Sequence, residues 1–67
     1  MIRLFVNGEN RDVEKDTTVT GLLEELGTPP DRVAVELNLQ ILDKQAYGRT
    51  VLRDGDRLEI ISFVGGG

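Results

Sequence analysis

The sequence predicts an α+β fold in which one helix packs across a mixed sheet of four to five strands. Three observations predict it: short segments near the beginning alternate apolar and polar residues, one segment then follows a helical period, and alternation returns afterwards. The apolar stripe of the helix and one face of the sheet must cover each other. A chain of 67 residues has room for one such domain.

The first two strands are predicted to form a hairpin. Apolar residues at Ile2, Leu4 and Val6 indicate a strand, and Asn7-Gly8 follows it. Both turn residues tolerate positive φ angles, so this dipeptide is a strong hairpin signal. The returning segment 9–14 is polar and charged, which is typical of an edge strand protected from unwanted pairing.

One amphipathic helix is predicted next. Thr17 or Thr18 can cap its start, Gly27 suits a left-handed residue at its end, and Pro29-Pro30 prevents its continuation. Its apolar stripe has the i, i+3, i+4, i+7 spacing and comprises Val19, Leu22, Leu23 and Leu26.

The second half of the chain is predicted to return to strands. A short extended piece at 40–42 and an irregular stretch through Gly48 come before the Asp54-Gly55-Asp56 turn. The last strand then runs from Arg57 to Phe63. The strand that begins this half has a period of two, with apolar residues at Val33, Val35, Leu37 and Leu39.

This order of elements is the β-grasp, or ubiquitin-like, plan. We expect a β-grasp domain over residues 1–64 and a flexible glycine tail over residues 65–67, projecting directly from the last strand. The predicted core comprises Ile2, Leu4, Val6, Val19, Leu22, Leu23, Leu26, Val33, Val35, Leu58 and Ile60.

Composition excludes several classes of function. The chain has no cysteine and no histidine, which excludes Cys/His metal sites, disulfides and histidine-dependent nucleophiles. A net charge of −4 argues against binding to nucleic acid or to anionic membranes. No apolar run approaches the ~20 residues that span a bilayer. We therefore expect a cytoplasmic protein that is not an enzyme and binds no cofactor of its own.

The sequence resembles the bacterial sulfur carrier of thiamine (thiazole) biosynthesis over essentially its whole length. Two positions depart from that family, which often has a Pro-Arg pair and a tryptophan where this chain has Asp43-Lys44 and Tyr47. The resemblance rests on the order of Asn7-Gly8, Thr18-Val19, Val33-Ala34-Val35 with Asn38, Asp54-Gly55-Asp56 and the final Gly66-Gly67.

The resemblance implies a function for the terminus. A ubiquitin-activating-like adenylyltransferase would use ATP and Mg²⁺ to adenylate the Gly67 carboxylate. A sulfur donor such as a cysteine desulfurase would then supply the sulfur of a thiocarboxylate. Thiazole synthase would receive that sulfur for the thiazole ring.

Elementary chemistry explains why glycines suit this terminus. A free α-carboxylate is ionised at neutral pH and is a poor electrophile, so it has to be activated by another protein. Glycine has no Cβ and is therefore the thinnest residue to enter a narrow active-site channel. Gly65, Gly66 and Gly67 together would reach about 10 Å when extended.

Two surface features are candidates for contact with a partner. Phe5, Ile61 and Phe63 alternate away from the core and would form an apolar docking patch if the first and last strands are neighbours. The alternative is that each covers a sheet edge locally. A set of acidic residues, either a face for a basic partner or ordinary solvated charges, comprises Glu36, Asp56 and Glu59.

Other functions remain open at this point. The small subunit of molybdopterin synthase has the same fold and tail, and a ubiquitin-like modifier would form isopeptide bonds through Gly67. A plain interaction module whose tail has no function is the third alternative.

Overall fold

Five strands and one α-helix follow each other in the computed structural model, which describes residues 1–63. The tail predicted at residues 65–67 and the domain boundary predicted at residue 64 lie outside the described residues. The elements are β1 (Ile2–Val6), β2 (Glu9–Val13), α1 (Val19–Leu26), a 3₁₀ helix at Pro30–Arg32, β3 (Val33–Leu37), β4 (Gln40–Ile41), a 3₁₀ helix at Lys44–Arg49 and β5 (Arg57–Ser62). The predicted order of elements is confirmed.

The strands form one mixed sheet in the order β2-β1-β5-β3-β4. β1 and β5 are parallel, and the other neighbouring strands are antiparallel. β2 lies at one edge, as its charges predicted, and β4 lies at the other. The last strand in sequence therefore occupies the centre of the sheet.

The helix begins and ends where its capping residues predicted. Thr18 is the N-cap, and its Oγ1 accepts a hydrogen bond from the main-chain N–H of Gly21 at 3.1 Å. Gly27 ends the helix with a φ of 69°, in the left-handed region that favours glycine. Thr17 instead donates its hydroxyl to the carbonyl of Glu14 at 2.7 Å.

The core lies between α1 and one face of the sheet. Eight of the eleven predicted core residues are buried, and Ile2, Leu26 and Ile60 pack against them while only partly buried. Leu52 is a core residue that the periodicity did not indicate, because it stands in an irregular segment. The buried set comprises Leu4, Val6, Val13, Val19, Leu22, Leu23, Val33, Val35, Tyr47, Leu52 and Leu58.

The prediction that the third strand continues to Leu39 is wrong. β3 ends at Leu37, which pairs with Gln40 of β4, so the chain turns back between them. Asn38 and Leu39 form this turn with φ angles of 51° and 72°. Leu39 is 88% exposed and takes no part in the core.

Candidate functional site

The base of the predicted tail is the second half of β5. In the first half, Leu58 pairs with Val6 on one side and with Leu37 on the other. β1 ends at Val6, and beyond that point Asn7 alone extends the pairing. The main-chain N–H of Ile60 donates to Oδ1 of Asn7 at 2.7 Å, and Nδ2 of Asn7 donates to the carbonyl of Ile60 at 3.3 Å.

β3 holds the other side of β5 as far as the described chain extends. Ser62 pairs with Val33, and the main-chain N–H of Phe63 donates to the carbonyl of Arg32 at 2.8 Å. The sequence therefore continues into Val64 and the three glycines from a strand anchored in the middle of the sheet.

The predicted docking residues lie on the sheet face opposite α1, here called the outer face. Ile61 and Phe63 are 49% and 57% exposed, and Phe5 is half-buried. β1 and β5 are neighbours, as expected, but Phe5 pairs with Arg57 and not with Ile61. Ile61 lies four positions after Arg57 along β5, a distance of about 13 Å. Phe5 therefore stands apart from Ile61, and Glu59 lies between them on this face.

A fourth apolar residue lies on the outer face. Ile61 pairs with Ala34, and Ile41 of β4 pairs with Glu36, one step diagonally from Ala34 on the same face. Ile41 is 75% exposed. Ile41 was not predicted from the sequence because a two-residue strand is too short to show a period. Ile41, Ile61 and Phe63 are here called the apolar end of the outer face.

The other end of the outer face is polar. The Arg57 guanidinium lies over the Phe5 ring, 5.1 Å from its centroid, which is a cation–π distance. Arg3 pairs with Asp12 across β1 and β2, with Nε and Oδ1 2.9 Å apart. The hydrogen bond from Arg3 holds the pKa of Asp12 below its ordinary value, and the same bond raises the pKa of Arg3.

The Asp54-Gly55-Asp56 segment is a turn, as predicted. Asp54 accepts a hydrogen bond at Oδ1 from the main-chain N–H of Arg3 at 2.8 Å, and Asp56 accepts one at Oδ2 from that of Arg53 at 2.8 Å. Gly55 has a φ of 90° and donates its N–H to the Arg3 carbonyl at 2.7 Å. Asp54 therefore holds the turn beside β1 and Asp56 closes the turn on itself, so each carboxylate has a structural role.

Residues 1–63 contain no group of three or more Asp and Glu side chains placed to hold a metal ion. Over the same residues, no helix is long and apolar enough to cross a membrane. Two features remain as candidates for the functional site: the strand that precedes the glycines in the sequence, and the outer face of the sheet. A β-grasp sheet whose central strand is followed in the sequence by glycines is typical of the class of ubiquitin-like carriers.

Comparison with known proteins identifies the family within that class. The sequence matches the ThiS family over residues 4–67, and the chain belongs to this family. It is 40% identical over 65 residues to the sulfur carrier protein ThiS of Bacillus subtilis, covering 96% of this chain and 98% of that one. The predicted membership in the sulfur carrier family is confirmed.

A solved structure shows the same fold. The crystal structure of the thiamine biosynthesis protein ThiS from Geobacter metallireducens superposes with a TM-score of 0.83 at 38% identity. It is matched over 98% of this chain and 100% of that chain. The β-grasp prediction and the resemblance stated from the sequence are confirmed.

A further relative is much longer. The chain is 47% identical over 66 residues to the thiazole synthase of Paramagnetospirillum magneticum, and this match covers 98% of the chain. The chain spans 20% of the length of that relative.

Proposed function

We propose that the Gly67 carboxylate is the group that carries sulfur, for the thiazole ring of thiamine. In this proposal residues 1–64 are the docking body and Gly65, Gly66 and Gly67 are the part that enters partner active sites. The observation that supports it most is the family match, which extends through residue 67 and so includes the glycines. The central, doubly paired β5 that leads into them supports it further.

The chemical steps follow from the weak reactivity of a carboxylate. A ubiquitin-activating-like adenylyltransferase joins the Gly67 carboxylate to AMP, releasing pyrophosphate from ATP bound with Mg²⁺ in the enzyme's own site. The persulfide that a donor such as a cysteine desulfurase forms from cysteine displaces AMP with its outer sulfur. A thiol then reduces the resulting acyl disulfide, which leaves the thiocarboxylate and a disulfide. Docking of the whole body then makes sulfur delivery effectively intramolecular, which raises its effective concentration.

Thiazole synthase is the proposed acceptor. The thiazole synthase of Paramagnetospirillum magneticum contains a stretch 47% identical to this chain, which supports a working association of the two. All these partners act in the cytoplasm in this proposal. Phe5, Ile61 and Phe63 are the proposed docking residues, with Ile61 and Phe63 acting together with Ile41 at the apolar end.

Intact-mass measurement tests the proposal. The full chain is incubated with ATP, Mg²⁺, a cysteine desulfurase with cysteine, a thiol reductant, and a ubiquitin-activating-like adenylyltransferase of the thiamine pathway. We expect a mass gain that corresponds to exchange of one oxygen for sulfur, located by fragmentation at Gly67. A chain with one alanine added after Gly67 should gain nothing, whereas a chain with one alanine added before Met1 should be loaded normally.

Two outcomes would contradict the proposal. One is loading of the chain that carries the added alanine after Gly67, because the reactive carboxylate would then lie elsewhere. The other is sulfur delivery from the loaded chain to molybdopterin synthase and not to thiazole synthase, which would move the chain to the molybdopterin pathway.

A further inference from the structure

Two glutamates face each other on the outer face without compensation. Glu36 of β3 and Glu59 of β5 are direct cross-strand partners. Like charges at directly opposite positions destabilise a sheet. The three ion pairs within residues 1–63 all join other side chains, so neither carboxylate has a cationic partner there. Glu36 is also half-buried, which reduces its hydration.

A groove of about 130 Å³ lies beside these two carboxylates. It is comparable in size to the ~150 Å³ cavity that accommodates a benzene molecule, so it has room for one side chain. Three of its residues are apolar: Leu58 belongs to β5, and Phe5 and Leu39 lie on elements on opposite sides of β5. The full lining comprises Phe5, Gly8, Glu36, Leu39, Arg57, Leu58 and Glu59.

Leu39 is a second unfavourable feature at the same groove. Its φ of 72° lies in the left-handed region, which is sterically unfavourable for a residue with a Cβ. Its side chain is 88% exposed, so no burial in residues 1–63 offsets this cost. An unpaired glutamate pair and a strained, exposed leucine thus border one concave surface. Contact with a partner would compensate both.

The residues that line the groove indicate which kind of side chain would fit it. Apolar surface on Phe5 and Leu39 suits an alkyl chain, and the carboxylates of Glu36 and Glu59 suit a cation at the end of that chain. Arg57 adds a positive charge, but two carboxylates outweigh one guanidinium, and that guanidinium already lies over Phe5. Arginine and lysine have a long apolar stem with a cationic head.

We propose that this groove receives an arginine or lysine side chain from the surface of the activating partner. The inference rests on the proposed function, in that the partner is the enzyme that adenylates Gly67. The apolar end of the outer face and this cation-binding groove would then form one two-part interface. The net charge of −4 on the chain favours encounter with a basic surface of the same kind.

Charge removal tests the inference. The double variant Glu36→Gln/Glu59→Gln is compared with Glu14→Gln/Glu24→Gln, which changes the net charge equally at exposed positions away from the groove. Binding to the purified adenylyltransferase is measured by calorimetry at low and at high salt. We expect the groove variant to bind roughly ten-fold more weakly at low salt, with a reduced salt dependence. The control should bind within about two-fold of the unchanged chain.

A stability measurement separates binding from folding. Because removing the cross-strand repulsion favours the sheet, urea unfolding should show the groove variant to be at least as stable as the unchanged chain. Weaker binding together with unreduced stability supports the inference. Equal loss of binding in both double variants, or no loss in either, overturns it.

A peptide probe keeps the inference testable if loading fails. An acetylated Leu-Arg-Leu peptide should shift the NMR signals of Phe5 and Leu39, and the same peptide with glutamine in place of arginine should not. If the unchanged chain is not loaded with sulfur, the proposed function fails and the groove is judged by this peptide alone. If the chain is loaded but the groove variant binds the enzyme normally, the groove inference alone fails.

Discussion

Two hairpins flank the central strand β5, and they have the same turn geometry. β1 and β2 are joined by Asn7-Gly8, and β3 and β4 are joined by Asn38-Leu39. Both asparagines have a φ of 51°, and both second residues are also left-handed. Each asparagine also reaches into β5 with its side chain. Asn38 accepts at Oδ1 from the main-chain N–H of Arg57 at 3.0 Å, much as Asn7 accepts from Ile60.

The hairpins differ in length and in the second turn residue. The first has five register pairs and a glycine at the second turn position, whereas the second has two register pairs and a leucine. Glycine adopts a left-handed conformation at no steric cost, and leucine does not. The first hairpin is thus built for stability. The second hairpin has a sterically unfavourable leucine in its turn, and the side chain of this leucine is exposed. This combination suggests that Leu39 acts at the surface.

The largest expected effect on stability comes from replacing the asparagine in the turn of each hairpin. Asn7→Ala and Asn38→Ala each remove two side-chain hydrogen bonds and place alanine in a left-handed conformation. We expect each to lower the free energy of unfolding by about 2 kcal/mol, measured by urea denaturation. Asn10→Ala is the control: Asn10 is exposed on β2, and its variant should change stability by less than about 0.5 kcal/mol.

Hydrogen exchange distinguishes the two asparagine variants. Asn7→Ala should accelerate exchange of the Ile60 amide, and Asn38→Ala should accelerate exchange of the Arg57 amide. Uniform acceleration of both amides in both variants would mean that the asparagines support the sheet only globally.

Substitutions at the second turn position should change the stability of the fold in opposite directions in the two hairpins. Gly8→Leu introduces the strain that Leu39 already carries, and no atom within 4 Å would obstruct the new Cβ. We expect a loss of about 1 kcal/mol, from the backbone alone. Leu39→Gly should stabilise the fold by less than about 1 kcal/mol, since the relieved strain is partly offset by the greater freedom of glycine in the unfolded chain. Thermal and urea unfolding measure both, and destabilisation by Leu39→Gly would show that Leu39 supports the fold.

The smallest expected effect concerns the charge pair of the first hairpin. The pKa of Asp12 is lowered by its hydrogen bond with Arg3, so the pair stabilises the fold above the pKa of Asp12 in the unfolded chain. That contribution is lost as the pH falls through the lower, folded-state pKa. An NMR titration of Arg3→Gln should show the Asp12 pKa rising towards its ordinary value. Arg49→Gln, which changes an arginine outside the first hairpin, should leave it unchanged.

Local signals in the sequence predicted the first hairpin and the helix well. Asn7-Gly8, Thr18 and Gly27 each have a conformational preference that acts within a few residues, and the structure places each in its predicted role. The second turn was missed because Leu39 continues an apolar alternation and is not a turn-forming residue. Its left-handed conformation is imposed by the pairing of Leu37 with Gln40.

The outer face could be predicted only in part, because its composition depends on register. The sequence indicated that Phe5, Ile61 and Phe63 point away from the core. The parallel register of β1 and β5, which places Phe5 opposite Arg57, depends on contacts more than 50 residues apart. A different register, the antiparallel one of β3 and β5, brings Glu36 opposite Glu59, which no local pattern reveals.

The central position of β5 has a consequence for synthesis of the protein. While the ribosome is still translating the residues before Arg57, the nascent chain lacks the strand that joins β1 to β3. Two separate hairpins with unpaired edges would then be exposed, and pairing across such sequence distances is slow. The sheet closes only once β5 has emerged, so a partner that recognises the outer face can bind only a completed body.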